Sequence, residues 1–403
     1  MNSLKVAAFL ALKSLTRGNL RVLTLTIAML ILVYLNLIFT PALLDGAVHS
    51  LDDKTKNFLS GDIVVQPTNE IPVIPNAQEL VLGIESVEGV AAACARSNLG
   101  TEISYQGEHI TSVVYAIDPA KDSRVFQISE KIIEGKYLDP EDTDQVLLGL
   151  QIAGSGQENL EFYASSLRTV HADDRVTIKY VTGVEREYTV KGIFYTELIQ
   201  SDLRAYITQK EANSIYPVIN GKAMSIHVKV QPNAKPDLVM NKIEALRPGE
   251  FRFQTWKDSL GTLKSMTKSF DQIITILRTT ALIVAAITIF IVTYVDLANK
   301  RRQIGIERAI GITSASIVIS YIIRAILYAI VGILAAAIIY VYVVVPIEAR
   351  YPFHFPFGDV LLPVSVPILA SSAGILCAVA IASAFIPAWQ TVRTKIIDAI
   401  WAS

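Results

Sequence analysis

Four long stretches of the chain are almost free of charge, and they set its organisation. Residues 22–44 hold no charged residue between Arg21 and Asp45. Residues 279–295 are uncharged between Arg278 and Asp296, 309–347 are broken only by Arg324, and 360–392 hold no charge at all. About 20 apolar residues in a helix cross the ~30 Å hydrocarbon layer at ~1.5 Å per residue. Each run reaches that length, the second with snorkelling ends, and none has the polar stripe of a soluble core helix. The pattern predicts transmembrane helices at 22–44, 275–298, 316–346 and 361–388. The first run is too long for the ~7–15 residues of a signal-peptide core, so it reads as a retained anchor.

Between the first and second runs the rhythm changes. Val, Ile, Thr and Tyr concentrate at 62–66, 111–117, 175–180, 187–194 and 223–230, which predicts β-strands. Turn signals separate them at Asp118-Pro119, Asp139-Pro140, Gly154-Ser155-Gly156 and Thr182-Gly183, and 237–246 reads as helix. The expectation is a membrane α-helical protein with an α+β domain, residues 45–271, inserted between helices one and two. A split into two subdomains near 147–166 is an option, and the segment is long enough to bury its own core. Leu260, Leu263, Met266, Phe270, Ile273, Ile274 and Leu277 recur at helical spacing and run into the second span. Leu43, Ala47 and Leu51 extend the first span in the same way, which predicts paired stalk helices. The competing reading is a surface helix lying on its own domain.

Composition agrees with this division. The chain is 52% apolar and 18% charged, with a mean hydropathy of +0.42. That excludes a disordered chain, a strongly basic nucleic-acid binder and an ordinary soluble enzyme. The net charge of −1 hides a split: residues 45–271 carry 32 acids and 23 bases, and the rest carries 5 acids and 13 bases. Lys5, Lys13, Arg17 and Arg21 precede the first span. Lys300, Arg301, Arg302 and Arg308 separate the second from the third, and Arg393 and Lys395 follow the fourth. By the excess of basic residues, 1–21, 299–315 and 389–403 are cytoplasmic, while the large domain and the loop 347–360 lie outside a cell membrane. Tyr351, Phe353, Phe355 and Phe357 in that loop suit the water–lipid boundary. Cys94 and Cys377 fall in different phases, so no disulfide framework is expected.

The chain lacks a Walker P-loop, an H-E-x-x-H or G-x-S-x-G motif and a Cys/His cluster, so no catalytic residue, metal site or cofactor is assigned to it. His171 beside Asp173 and Asp174 reads as a solvated loop rather than a metal site. Inside the spans, Ala370, Gly374, Ala378 and Ala382 repeat every four residues, with a shorter version at Gly332 and Ala336. Such small residues let helices approach closely, within the chain or against a partner subunit. Arg324 lies well inside the third span; it either snorkels to the cytoplasmic surface or pairs with Asp296 at the end of the second.

Residues 299–311 read Asn-Lys-Arg-Arg-Gln-Ile-Gly-Ile-Glu-Arg-Ala-Ile-Gly. This resembles the signature of FtsX-like permeases, the membrane subunits of MacB/LolC-type ABC systems: basic residues, E/Q-I-G-I, two variable residues, then A-x-G. Arg301, Arg302, Gln303, Ile304, Gly305, Ile306, Ala309 and Gly311 fit, with Glu307 and Arg308 at the variable places. The order of one span, a large outer domain and three spans is similar to the family's over the whole chain. The N-terminal stretch from Ala11 to Arg21, and Pro387-Ala388-Trp389 with Arg393 and Ala399-Ile400, resemble its ends. Segments 145–153, 174–180, 188–194 and 204–212 resemble its MacB-like outer core domain, and the outer length suits the MacB/LolC branch. Ser314, Ala315 and Ser316 depart from the basic or glutamine residues usual there, and Arg324 stands where an acid is common.

The resemblance implies a separate ABC ATPase subunit, which would bind ATP and Mg in its own chain and dock on the cytoplasmic loop. Gly305–Gly311 would form a coupling helix, with Ile304 and Ile306 as its apolar grip and Gly305 and Gly311 permitting close approach and a turn. Two permeases, identical or related, would form the dimer in membrane lipid, and the stalks would carry motion to the outer domain and an adaptor or substrate protein. Export or release of an amphiphile, lipid, lipoprotein or peptide is the first expectation; control of an extracellular partner such as a cell-wall hydrolase is the alternative. A membrane-anchored receptor or adhesion protein without a motor is a third reading. No nucleic-acid partner is expected.

Overall fold

The computed structural model describes residues 7, 9, 11, 20–68, 71–154, 166–247, 249–259, 261–355, 358–360 and 362–393, with the side chains of 20–22, 259, 261–268, 270 and 271 excepted. Lys5, Lys13, Arg17, Ser155, Gly156, Leu260, Phe357, Lys395, Ala399 and Ile400 lie outside the described residues, as do the side chains of Leu263, Met266 and Phe270.

In chain order the main elements are α1 (Leu20–Lys54), β1 (Ile63–Gln66), α2 (Ala77–Glu85), β2 (Val90–Tyr105), β3 (Glu108–Ile117), α3 (Pro119–Val125), β4 (Ile132–Gly135), β5 (Gln145–Gly149), β6 (Arg175–Tyr180) and β7 (Glu185–Phe194). There follow β8 (Arg204–Thr208), α4 (Gln209–Ile215), β9 (Ser225–Val230), α5 (Pro236–Glu244), β10 (Arg252–Thr255), α6 (Gly261–Asn299), α7 (Arg301–Ala309), α8 (Ser314–Ile339) and α9 (Val366–Val392). A hairpin of two three-residue strands, Phe353–Phe355 and Gly358–Val360, precedes α9. The chain divides into two compact units, one of Met1–Val48, Thr267–Phe353 and Val360–Ser403, the other of His49–Met266 and His354–Asp359.

The second unit is built on one hydrogen-bonded sheet with two lobes. The order β10-β1-β9-β2 is wholly antiparallel, with α2 and α5 packed on it through Ile63, Val81, Ile84, Ile226, Val239 and Ile243. This is the split βαβ arrangement, the second and third strands being β2 and β9. Between them the chain makes its other lobe. β2 pairs β3, β3 pairs β8, β8 pairs β5, β5 pairs β7, β7 pairs β6, and β6 returns to β2. The ring is therefore closed, which removes its free edges. Its apolar core includes Leu99, Ile103, Val114, Val146, Leu148, Val176, Ile178, Val190 and Ile207.

β2 belongs to both lobes, pairing β9 through Val90–Arg96 and β3 through Arg96–Tyr105. Arg96 sits where these pairings meet and is wholly buried. Its guanidinium donates Nε to Asp122 Oδ1 at 2.7 Å and Nη2 to Oδ2 at 2.9 Å, and lies 3.5 Å from the centre of the Phe126 ring. The option of a split near 147–166 is corrected: β5 is an internal barrel strand, and β2 is what the lobes share. Asp118-Pro119 is not a loop turn but the start of α3. Asp118 accepts the amides of Ala120 and Lys121, and Pro119 sits where a helix needs no amide.

Among the described residues, four helices are long and apolar enough to cross a membrane: Leu23–Ser60, Gln272–Asn299, Ser314–Arg350 and Val366–Val392. α6 runs unbroken for 39 residues. The shared core is rich in alanine: Leu30, Tyr34 and Leu37 of α1 meet Ala285 of α6, Ala325, Ala329 and Ala336 of α8, and Leu376, Ala380 and Ala384 of α9. Small residues there allow close backbone approach. A Cβ placed on Gly332 would lie 2.9 Å from the Cβ of Leu30, so Gly332 and Ala336 serve packing within the chain. The four-residue stripe on α9 does not. Ala370, Gly374, Ala378 and Ala382 are exposed, and a Cβ on Gly374 meets nothing within 4 Å; α9 packs through Ser372, Leu376, Ala380, Ala384 and Ala388 instead.

Candidate coupling site

The basic loop between the second and third membrane helices forms a helix of its own. α6 ends at Asn299, and Arg301–Ala309 continues as α7 after a break at Lys300. Gly311 ends α7 at φ +99°, a conformation that favours glycine. The Ile312 amide reaches the Glu307 carbonyl at 3.1 Å and the Gly311 amide that of Arg308 at 3.1 Å, the paired bonds of a Schellman cap. Thr313 then caps α8, accepting from the Ser316 amide at 3.3 Å and meeting its hydroxyl at 2.8 Å. The Ser314–Ser316 departure from the family pattern therefore has a local role as the start of α8.

α7 has two faces. Ile304 is 4% exposed and packs with Leu297, Ile317, Tyr321, Ala388 and Val392; Gly305 beside it is buried. Arg301, Arg302, Gln303, Ile306, Ala309 and Gly311 are exposed. Gln303 donates to Glu307 at 2.9 Å along the outer face. The expectation that Ile304 grips a partner is corrected, because its side chain is spent holding α7 to the bundle. The exposed apolar residues are Ile306, 49% exposed, and Ile310, 74% exposed, which motif matching passed over. Ile310 was detectable as an apolar residue just before the glycine cap.

A half-buried ion pair lies next to this helix. Arg324, with its side chain 7% exposed, donates Nη1 to Asp296 Oδ2 at 2.7 Å. Asp296 also receives Lys300 Nζ at 3.0 Å, one turn along. The Arg324 guanidinium lies 3.7 Å from the centre of the Tyr321 ring. The pair ties the end of α6 to α8, and Lys300 joins it at the start of α7. Tyr321, one turn before Arg324, is the partner that charge counting could not find.

His171 is exposed, with Nδ1 3.2 Å from Glu134. Among the described residues no group of three His, Cys, Asp or Glu is placed to hold a metal ion. Cys94 and Cys377 are both free thiols.

Four membrane-length helices, with an α/β domain between the first and second along the sequence, define a multi-pass membrane protein bearing a large non-membrane domain. The chain belongs to the FtsX-like permease family: the FtsX-like permease C-terminal model matches residues 276–396, and the MacB-like periplasmic core domain model matches 23–246. The macrolide export ATP-binding/permease protein MacB of Escherichia coli K12 is 26% identical over 128 residues, and that of Shigella flexneri is equally similar. The match spans 29% of this chain and about a fifth of those curated relatives' length, 20%. Among solved structures, the periplasmic region of MacB from Actinobacillus actinomycetemcomitans is 12% identical, covering 54% of this chain and 98% of that one with a TM-score of 0.37. The extracellular domain of the ABC-type transporter YknZ from Gram-positive bacteria is 11% identical, covering 48% and 97% with a TM-score of 0.35.

Proposed function

We propose that this chain is the permease subunit of an ABC transporter of the MacB/LolC/FtsX type, coupling ATP hydrolysis by a separate ATPase subunit to its extracytoplasmic domain. The observation that carries the reading is the build of α7. Ile304 fixes the helix to the bundle, while Ile306 and Ile310 face outward among the arginines at 301, 302 and 308. An exposed apolar pair rimmed by charge suits a protein partner. Motion of α7 would reach α6 and α8 through Lys300, Asp296 and Arg324. α1 and α6 would act as the stalks, and a dimer of permeases would complete the assembly.

The excess of basic residues in 1–21, 299–315 and 389–403 supports a reading with α7 and both termini in the cytoplasm and the large domain outside. The substrate would be an amphiphile, lipid, lipoprotein or peptide handled by that outer domain. Pull-down of the tagged full chain from native membranes tests the reading. An ABC ATPase in stoichiometric amount is the expected outcome, and its absence under conditions that retain lipid and other partners refutes it.

A further inference from the structure

The outer unit contains a cleft that the coupling reading does not use. It has a volume of about 250 Å³ and is lined by the first turn of α2, the β3–α3 junction, α4 and the turn before β9. The cleft therefore lies between the split βαβ lobe and the barrel. Lys121, Lys210 and Lys222 line it against one carboxylate, Asp118. This is a local reversal in a segment that carries 32 acids and 23 bases between residues 45 and 271.

The charges are not equally engaged. Lys210 is held by Glu141 at 2.7 Å, and Asp118 caps α3. Among the described residues, no carboxylate oxygen lies within 4.0 Å of the Lys121 or Lys222 ammonium, and both side chains are half-buried. A relay of carboxamides links the walls: Gln209 donates to Asn213 at 2.9 Å, and Asn213 to Asn220 at 3.3 Å. Val81 and Ile117 add apolar surface.

We infer that this inter-lobe cleft binds an extended peptide segment carrying an acidic side chain, its carboxylate held between Lys121 and Lys222. Lysine recognises a carboxylate as a point charge, and carboxamides offer both a donor and an acceptor, as a peptide backbone requires. The small apolar surface of Val81 and Ile117 fits a short aliphatic side chain. The inference stands apart from ATPase coupling, since it concerns only the outer unit.

The test uses the full chain in detergent micelles, without nucleotide or ATPase. The dye-labelled hexapeptide Ala-Glu-Val-Glu-Ala-Pro is titrated by fluorescence anisotropy. Saturable binding is expected, about tenfold weaker or worse for Ala-Gln-Val-Gln-Ala-Pro and for the Lys121→Glu/Lys222→Glu double variant. Lys179→Glu, the same charge change on an exposed strand position, should leave binding unchanged. The double variant should instead gain binding to Ala-Lys-Val-Lys-Ala-Pro, which separates charge recognition from misfolding. Absence of saturable binding, equal binding by the double variant, or full displacement by equimolar inorganic phosphate overturns the inference.

Discussion

Removing Asp296 should cost this protein more than removing Arg324, and the geometry sets the size of the difference. Asp296→Asn strips the carboxylate from a guanidinium that is 7% exposed and whose Nε already lacks a partner. Taking one partner from a buried pair costs about 3–5 kcal/mol, and the Tyr321 ring at 3.7 Å returns part of it. The net cost is about 2–4 kcal/mol. Arg324→Met leaves a carboxylate that is 31% exposed and still held by Lys300 at 3.0 Å, a loss of about 1 kcal/mol. Unfolding of the purified chain in mixed micelles titrated with SDS measures both. Exchanging the charges, Asp296→Arg with Arg324→Asp, should recover only part of the loss, because the introduced arginine faces Lys300. Adding Lys300→Glu should recover more. Equal costs for the two single variants, with no gain from either combination, would refute the pairing argument.

Other expectations follow from packing and burial. Gly332→Leu drives side-chain atoms into Leu30 and should lower stability by about 1–3 kcal/mol in the same titration, whereas Gly374→Leu, which meets nothing within 4 Å, should be silent. Asp122→Ala should destabilise the second unit by about 3–5 kcal/mol in thermal melts, and Arg96→Met/Asp122→Leu should recover most of that, since only the single change leaves a buried charge alone. Two buried groups should oppose each other in pH. Burial lifts Asp202 to about 7 despite its bonds from Thr196, so its folded form holds a proton that the unfolded chain loses from about 3.8, and its contribution fades as pH rises toward 7. Burial, with Arg96 nearby, depresses His227 to about 3 from 6.5, so its contribution is present above 6.5 and fades as pH falls. Asp202→Asn should therefore steepen the rise of melting temperature between pH 4 and pH 6.5; an unchanged profile would contradict the assignment.

The apolar runs gave the membrane helices because hydrocarbon leaves a charge-free stretch no other environment. Enrichment in Val, Ile, Thr and Tyr gave β1, β3, β6, β7 and β9, because branched and aromatic side chains suit a pleated strand, and β3, β6 and most of β7 also alternate between buried and exposed positions. β2 escaped: its first half reads Val-Ala-Ala-Ala-Cys-Ala-Arg and is mostly buried, so after Val90 it has neither clean alternation nor a branched residue to signal a strand. With β2 unseen, the closed barrel and the sharing of a strand between lobes were out of reach. The coupling loop was legible as a motif, but not which isoleucine points outward. Ile304 and Ile306 look alike in sequence, and only the packing of Leu297, Ile317 and Tyr321 around Ile304 tells them apart. Asp296 and Arg324 stood out because charges at the edge of and inside apolar runs are few; the ring of Tyr321 carried no such mark.

The central claim is that α7 is the docking helix for an ATPase, and its outer isoleucines test it most directly. Ile306→Glu and Ile310→Glu change residues that are 49% and 74% exposed, so the chain should fold and melt as the unaltered protein does. In pull-downs from native membranes, the ATPase should be stoichiometric with the unaltered chain and lost from the double variant. Stoichiometric ATPase on a well-folded Ile306→Glu/Ile310→Glu chain would contradict the account.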